Sequence, residues 1–178
     1  MSKRILALGG DGIGPEVLKA GIAVSKLIDQ IYNFNLEFEM DDIGGKSWDK
    51  HGTFCTNETI EKAKASDAIL VGAVGGPKWD NLQIDGPPEN QDGLMKLRKE
   101  LDAFLGIRPA SSYRGLQKQV PLKNKILKNA DILVLREMTG GVMFSQPRGV
   151  KNIDGMRYAF DTAAYNENEI RRFVIEGF

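Results

Sequence analysis

The run ILAL at residues 5–8, halted by GGDGIG at residues 9–14 and followed by Pro15, constrains the fold more than any other stretch. Four consecutive apolar residues ending in glycine read as a short strand buried on both faces. The glycines free the backbone to turn sharply, and a proline with fixed φ then opens a helix. Val17, Leu18, Ile22, Val24, Leu27 and Ile28 supply an apolar stripe at helical spacing. A strand that passes through a glycine turn into an amphipathic helix is the opening unit of an α/β layer.

The same alternation continues. NLEFEM at residues 35–40 alternates apolar and acidic residues, as a half-exposed strand does. Thr56 or Asn57 can cap a helix running to about Ala65, and DAILVGAV at residues 67–74 reads as a second buried strand. Residues 75–93, GGPKWDNLQIDGPPENQDG, form a breaker-rich loop, and loops of this length inside a domain are functional or mobile. LMKLRKELDAFLG reads as a helix with Leu94, Leu97, Leu101 and Phe104 on one side and Arg98 a turn along. Pro109 keeps RPASSYRG extended, DILVLREM at residues 131–138 is the third buried strand, and MRYAFDTAAY is an extended arm. Asn166, followed three residues later by Glu169, caps a last helix. The β-α-β-α-β order predicts an α/β fold with a parallel or mixed sheet.

Composition removes several function classes. With 42% hydrophobic and 27% charged residues the chain is of globular type. Lys plus Arg and Asp plus Glu are both 24, so no net field draws it to nucleic acid or anionic lipid. One cysteine and one histidine exclude an internal disulfide framework and a Cys/His metal site. No stretch has the length of a membrane span, and the N-terminal apolar run is too short for a secretory signal, which makes the cytoplasm the default compartment.

Two stretches could carry chemistry. GGDGIGPEV fails the dinucleotide fingerprint, because Pro15 stands where the third glycine belongs. Either it is only a tight turn, or its helix N-terminus holds a ligand. Arg98 on a helix, Arg108 before a proline and Arg136 at the end of a strand present planar forks suited to carboxylates. They clamp a small polycarboxylate, or each pairs with a local acid: Glu100, Asp102 or Glu137. After Arg136 the chain breaks at Gly140-Gly141 and reaches Met143, which has the look of a site.

Taken together, GDGIGPEV (residues 10–17), VGAVGGPKWDNL (71–82), LMKLRKELD (94–102), IRPA (107–110), LREMTGGVMFSQPRG (135–149) and AFDTAAYNENEIRR (159–172) stand in family order. The chain resembles the N-terminal half of members of the isocitrate/isopropylmalate dehydrogenase family. The resemblance implies a two-domain isopropylmalate dehydrogenase-like α/β fold, not Rossmann, incomplete in this chain. Residues 1–104 would belong to the first domain, and residues 105–178 to a partial second domain with a dimerisation arm at about 150–165. It further implies a homodimeric enzyme of leucine biosynthesis that oxidatively decarboxylates (2R,3S)-3-isopropylmalate with NAD and Mg²⁺ or Mn²⁺. The alternatives are a relative acting on homoisocitrate, tartrate or isocitrate, and a non-catalytic carboxylate-binding or regulatory subunit.

Carried over residue by residue, the resemblance assigns the substrate carboxylates to Arg98, Arg108 and Arg136, and its isopropyl group to Leu94 and Met95. Gly76, Pro77, Lys78, Trp79, Asp80 and Glu89 would lie along the nicotinamide half of NAD. The metal ligands and the catalytic lysine are expected beyond the end of this chain. Met143 occupies the position of the family's catalytic tyrosine, and a thioether has no proton to donate, so no catalytic residue is assignable here.

Overall fold

Leu6, Ala7 and Leu8 are fully buried because β1 (Lys3–Gly10) is the middle of three parallel strands. β2 (Leu36–Asp41) and β3 (Ala68–Ala73) flank it, and Ile5 stands opposite both Phe38 and Ala68. The structure, a computed structural model, describes residues 2–178 except Gln83, Arg114, Gln117, Lys118, Lys128, Asn129 and the side chain of Asn124. It divides into two compact units, Met1–Asp102 and Ala103–Phe178. Among the described residues no helix is long and apolar enough to cross a membrane.

In the first unit α1 (Gly14–Tyr32) carries the chain from β1 to β2, with Pro15 in its first turn as expected. α2 (Gly45–His51) and α3 (Asn57–Lys64) lead from β2 to β3. Thr56 rather than Asn57 caps α3: its hydroxyl accepts from the Thr59 amide at 3.0 Å. The short helix α2 has no counterpart in the sequence reading. Its end is nonetheless marked by Gly52 at φ 67°, and by Lys50 and His51 in the last turn, where positive charge suits the helix dipole. Leu6, Leu8, Ile43, Cys55, Ile60, Ala63 and Leu97 form one core cluster.

Three expectations for this unit need correction. The α1 stripe does not face the core as one surface. Leu18 is buried and Ile22 half-buried, whereas Val17 (57% exposed), Val24 and Leu27 (both 58%) face away. The helix is apolar on two sides, and a periodicity count cannot tell which side meets the sheet. β3 is only half-buried, since among the described residues β1 alone pairs with it. The loop at residues 75–93, which includes the undescribed Gln83, contains a short helical turn, α4 (Pro88–Gln91). α5 (Gly93–Glu100) follows and closes at Leu101, so Phe104 lies beyond the helix it was expected to join.

The second unit is built differently. β4 (Leu105–Ser111) and β5 (Asp131–Glu137) pair antiparallel, with Gly106 opposite Arg136 and Arg108 opposite Val134. The extended reading of RPASSYRG therefore holds along β4, while its Arg114 lies outside the described residues. β5 is a strand but not a buried one: Ile132, Leu133 and Val134 are exposed. An apolar run indicates that a strand is to be covered without naming the cover, and among the described residues this sheet has two strands. A single turn, α6 (Asn124–Leu127), precedes β5, and a 3₁₀ turn (Gly141–Met143) follows it.

The expected arm is a hairpin, β6 (Gly149–Ile153) against β7 (Met156–Phe160), exposed along both strands. Asp154 and Gly155 both have positive φ, as a two-residue turn of this kind requires. α7 (Glu167–Gly177) begins with the anticipated box: Asn166 accepts from the Glu169 amide, and the Glu169 carboxylate accepts from the Asn166 amide.

Candidate functional site

Parallel α/β sheets take ligands at the carboxyl ends of their strands. In the first unit three segments meet there on one side chain. Asp11, 5% exposed, accepts from the amides of Gly45 (2.7 Å) and Lys46 (2.8 Å) at the start of α2, and of Gly75 (2.9 Å) after β3. Its own amide donates to the Ala73 carbonyl at 2.6 Å.

The residues expected to line the cofactor begin beside this carboxylate. Gly76 and Pro77 lead into Lys78, whose ammonium lies 2.6 Å from Asp49 Oδ2 and over the Trp79 ring. The Trp79 indole N–H donates to Asp49 Oδ1 at 3.2 Å. The Lys78 ammonium, aided by that N–H, holds the Asp49 carboxyl below its usual range. Trp79 packs flat on Gly45, where a Cβ would meet the indole at 2.2 Å. A cleft of about 260 Å³ lies here, lined by Gly44, Gly45, Trp79, Asp80, Leu82 and Gly93 among others. Glu89, on α4, is paired with Lys99. The larger cavity of the unit, about 480 Å³ between α1 and β2, holds none of the expected site residues.

On α5, Asp92 accepts from the Leu94 amide at 2.7 Å and fixes where the helix begins. Leu94 packs against the core cluster, while Met95 and Arg98 are half-buried.

In the second unit the register decides what the arginines can do. Gly106 faces Arg136 and Arg108 faces Val134. Residues two apart on a strand share a face, so Arg108 and Arg136 lie diagonally on one face of the β4–β5 pair. Both are exposed, and among the described residues neither makes an ion pair. The local-acid reading fails for Arg136. Glu137 belongs to the opposite face, and its carboxylate is taken by the Thr139 amide (2.8 Å), the Thr139 hydroxyl (2.7 Å) and the Gly140 amide (2.9 Å). Burial pushes the Glu137 carboxyl up, but these hydrogen bonds and the charge of Arg172 bring it below its ordinary value.

The turn that Glu137 holds presents Met143. Its Sδ lies 3.4 Å from Arg136 Nη2, so a thioether caps one arm of the guanidinium. Tyr165 lies against the turn from its other end: a Cβ on Gly141 would fall 2.1 Å from the Tyr165 hydroxyl. Asp11 and Asp49 escaped the sequence reading, Glu137 entered it only as a partner for Arg136, and Tyr165 was given no place at the turn. A signal existed for Asp11, the one acid in a glycine turn with free amides around it. None existed for Asp49 or Tyr165, which act on residues 24 or more positions away.

Comparison with known proteins gives a consistent outline. The family described as isocitrate/isopropylmalate dehydrogenase matches residues 4–178. The 3-isopropylmalate dehydrogenase of Pseudomonas syringae pv. tomato is 48% identical over all of this chain and 49% of its own length. That of Aquifex aeolicus is 46% identical over 98% of this chain and 48% of its own. The chain thus spans about half the length of the curated relatives it matches. Among solved structures, the isocitrate dehydrogenase of Methylococcus capsulatus matches with a TM-score of 0.75 over 99% of this chain and 46% of that one. At 19% identity that likeness speaks for the fold alone.

Proposed function

Since the chain belongs to the isocitrate/isopropylmalate dehydrogenase family, we propose that it forms the carboxylate-binding and cofactor-loop half of a decarboxylating dehydrogenase. The substrate in this reading is (2R,3S)-3-isopropylmalate, the oxidant NAD, and the setting leucine biosynthesis in the cytoplasm. The observation that carries it is the pair of guanidinium groups, Arg108 and Arg136, on one exposed face, where among the described residues no acid pairs with either. Two planar forks at diagonal positions suit a dicarboxylate. By family resemblance Arg98 is assigned to the substrate carboxylates, and Leu94 and Met95 to the apolar part of the substrate. The β6–β7 hairpin is the arm through which two copies pair, and the two units are parts of the family's first and second domains.

NAD would be held by residues 76–80 and Glu89, and when bound it supplies the hydride acceptor. The fit rests on the glycine backbone at Gly75 and Gly76 beside the cleft, since Lys78, Trp79 and Glu89 already engage Asp49 and Lys99. Mg²⁺ or Mn²⁺ does not find a site in the same way. Among the described residues no group of three or more His, Cys, Asp or Glu is placed to hold a metal ion, and no step is drawn through one.

Within these limits the residues bind and orient, and none at position 143 moves a proton. Thermal unfolding with 3-isopropylmalate tests the clamp: a ligand at about a hundred times its Kd stabilises the native state by about 2.7 kcal/mol. Arg136→Ala abolishes that shift, and no shift in the wild type would sink the reading. Homoisocitrate, tartrate and isocitrate in the same assay rank the related substrates. Robust NADH formation by the chain alone, with 3-isopropylmalate, NAD and Mn²⁺, would overturn the assignment of Met143 as a missing acid.

The contact of Met143 with Arg136 also favours a second reading, a carboxylate-binding subunit without chemistry. Mixing the chain with the C-terminal half of a relative separates the two. Met143→Tyr then raises NADH formation under the first reading and leaves it at background under the second.

A further inference from the structure

Asp11 is a buried carboxylate whose side-chain hydrogen bonds all come from backbone amides. Among the described residues no cation pairs with it, and its two oxygens take three amides from two segments 34 and 64 residues away. A carboxylate is a strong acceptor for such amides, and removing it takes a hydrogen bond from each of the three. The backbone around it is cut to fit. Gly44, at φ 77°, has no side chain because a Cβ would lie 2.3 Å from Asp11 Oδ2. Gly10, at φ 70°, would drive a Cβ to within 2.0 Å of the Ala73 carbonyl oxygen. Asp11 is itself held at both ends, its amide on Ala73 and its carbonyl accepting from Gly14 at 2.8 Å.

Had this carboxylate served only to cap α2, the amides of Gly45 and Lys46 would have sufficed. The Gly75 amide is the additional contact. It stands at the root of residues 75–80, where Gly75 (φ 100°) and Gly76 (φ 158°) give the backbone little rigidity of its own. The tip of the same segment is tied down separately, at Asp49 through Lys78 and Trp79. Because Asp49 belongs to α2, and Asp11 fixes where α2 starts, both ties refer the segment to one frame.

We propose that Asp11 is the positioning residue of the 75–80 segment, setting its root directly and its tip through α2 and Asp49. The inference rests on the reading above that this segment holds the nicotinamide half of NAD. Its role is to present a preformed backbone edge, which lowers the ordering cost of binding.

Two variants of the full chain test it, with amide exchange and NADH titration as readouts. NADH binding is followed by energy transfer from tryptophan. Asp11→Asn is expected to keep the far-UV signal and the slow exchange of β1. Amides of Gly45, Gly75, Gly76 and residues 78–81 then exchange about tenfold to a hundredfold faster, the factor for one lost hydrogen bond to a charged acceptor. NADH half-saturation rises in step. Asp49→Ala, at an exposed position, raises exchange only at residues 78–81. A role confined to stability would speed exchange throughout the sheet, and that result overturns the proposal, as does unchanged exchange at residues 75–81 in a folded Asp11→Asn chain. Should Asp11→Asn not fold, the wild type decides. Exchange at Gly75 much slower than at the exposed Gly12 supports the proposal, and equal rates overturn it. A wild-type chain that ignores NADH removes the cofactor reading, while the exchange results still judge the positioning.

Discussion

Two glycines of α1 allow sterics and helix propensity to be set against each other. Replacing glycine by alanine inside a helix stabilises it by about 0.5–1 kcal/mol. At Gly21, where an added Cβ meets nothing within 4 Å, that gain stands alone, and Gly21→Ala is expected to stabilise the chain by this amount. At Gly14 the added Cβ falls 2.3 Å from the Gly9 carbonyl oxygen, 2.5 Å from the Ala73 nitrogen and 2.7 Å from the Ala73 oxygen. All three are backbone atoms of strands in the core sheet, so no side chain can swing aside. Overpacking of this kind costs about 1–3 kcal/mol. Moving Ala73 also strains the bond its carbonyl accepts from the Asp11 amide, worth about 1 kcal/mol. Against a propensity gain of at most about 1 kcal/mol, Gly14→Ala is expected to lose about 1–3 kcal/mol net. Urea unfolding followed by tryptophan emission reads this directly, because Trp48 and Trp79 both lie in the first unit. Opposite shifts of the two midpoints at unchanged slope are expected. If Gly14→Ala is as stable as Gly21→Ala, the close approach of α1 to β3 is wrong.

Three further outcomes follow from single groups. Asn166→Ala removes the capping box of α7 and is expected to cost about 1 kcal/mol, seen as a lower helical signal and an earlier transition of the second unit. Burial pushes the Cys55 thiol up to about 11, outweighing the nearby Lys96, so alkylation at pH 8 is expected only once denaturant opens the core. Rapid labelling of the native chain would contradict its burial. Glu137 is depressed in the folded state, so its contribution is present above the ordinary glutamate value of 4.5 and is lost as pH falls through its lower folded value. Glu137→Gln is expected to flatten that acid limb in pH-dependent unfolding monitored by tyrosine, and an unchanged limb would assign it to other carboxylates.

The elements that were legible in the sequence are those whose signals close over a few residues. An apolar run ended by glycine gave β1, Pro15 gave the start of α1, and Thr56 and Asn166 gave two helix starts, because a cap acts on an amide three positions along. The family was likewise carried by short ordered motifs, and the family model matches residues 4–178. The α2 helix, the α4 turn and the Asp154-Gly155 hairpin went unread although their turn residues were in view. Short elements have few positions over which a pattern can build.

What the sequence left open depends on distance along the chain. Composition and spacing could not say that Leu18 faces the sheet and Val17 faces away, since both lie on apolar sides of one helix. Nor could they give the β4–β5 register, which puts Arg108 and Arg136 on one face and turns Glu137 to the other. A slip of one residue would reverse that arrangement with every residue unchanged. Asp11 shows the division most sharply. Its place in a glycine turn was written in the sequence, while its hold on Gly45, Lys46 and Gly75 exists only once three strands have aligned in parallel and brought those amides to one carboxylate.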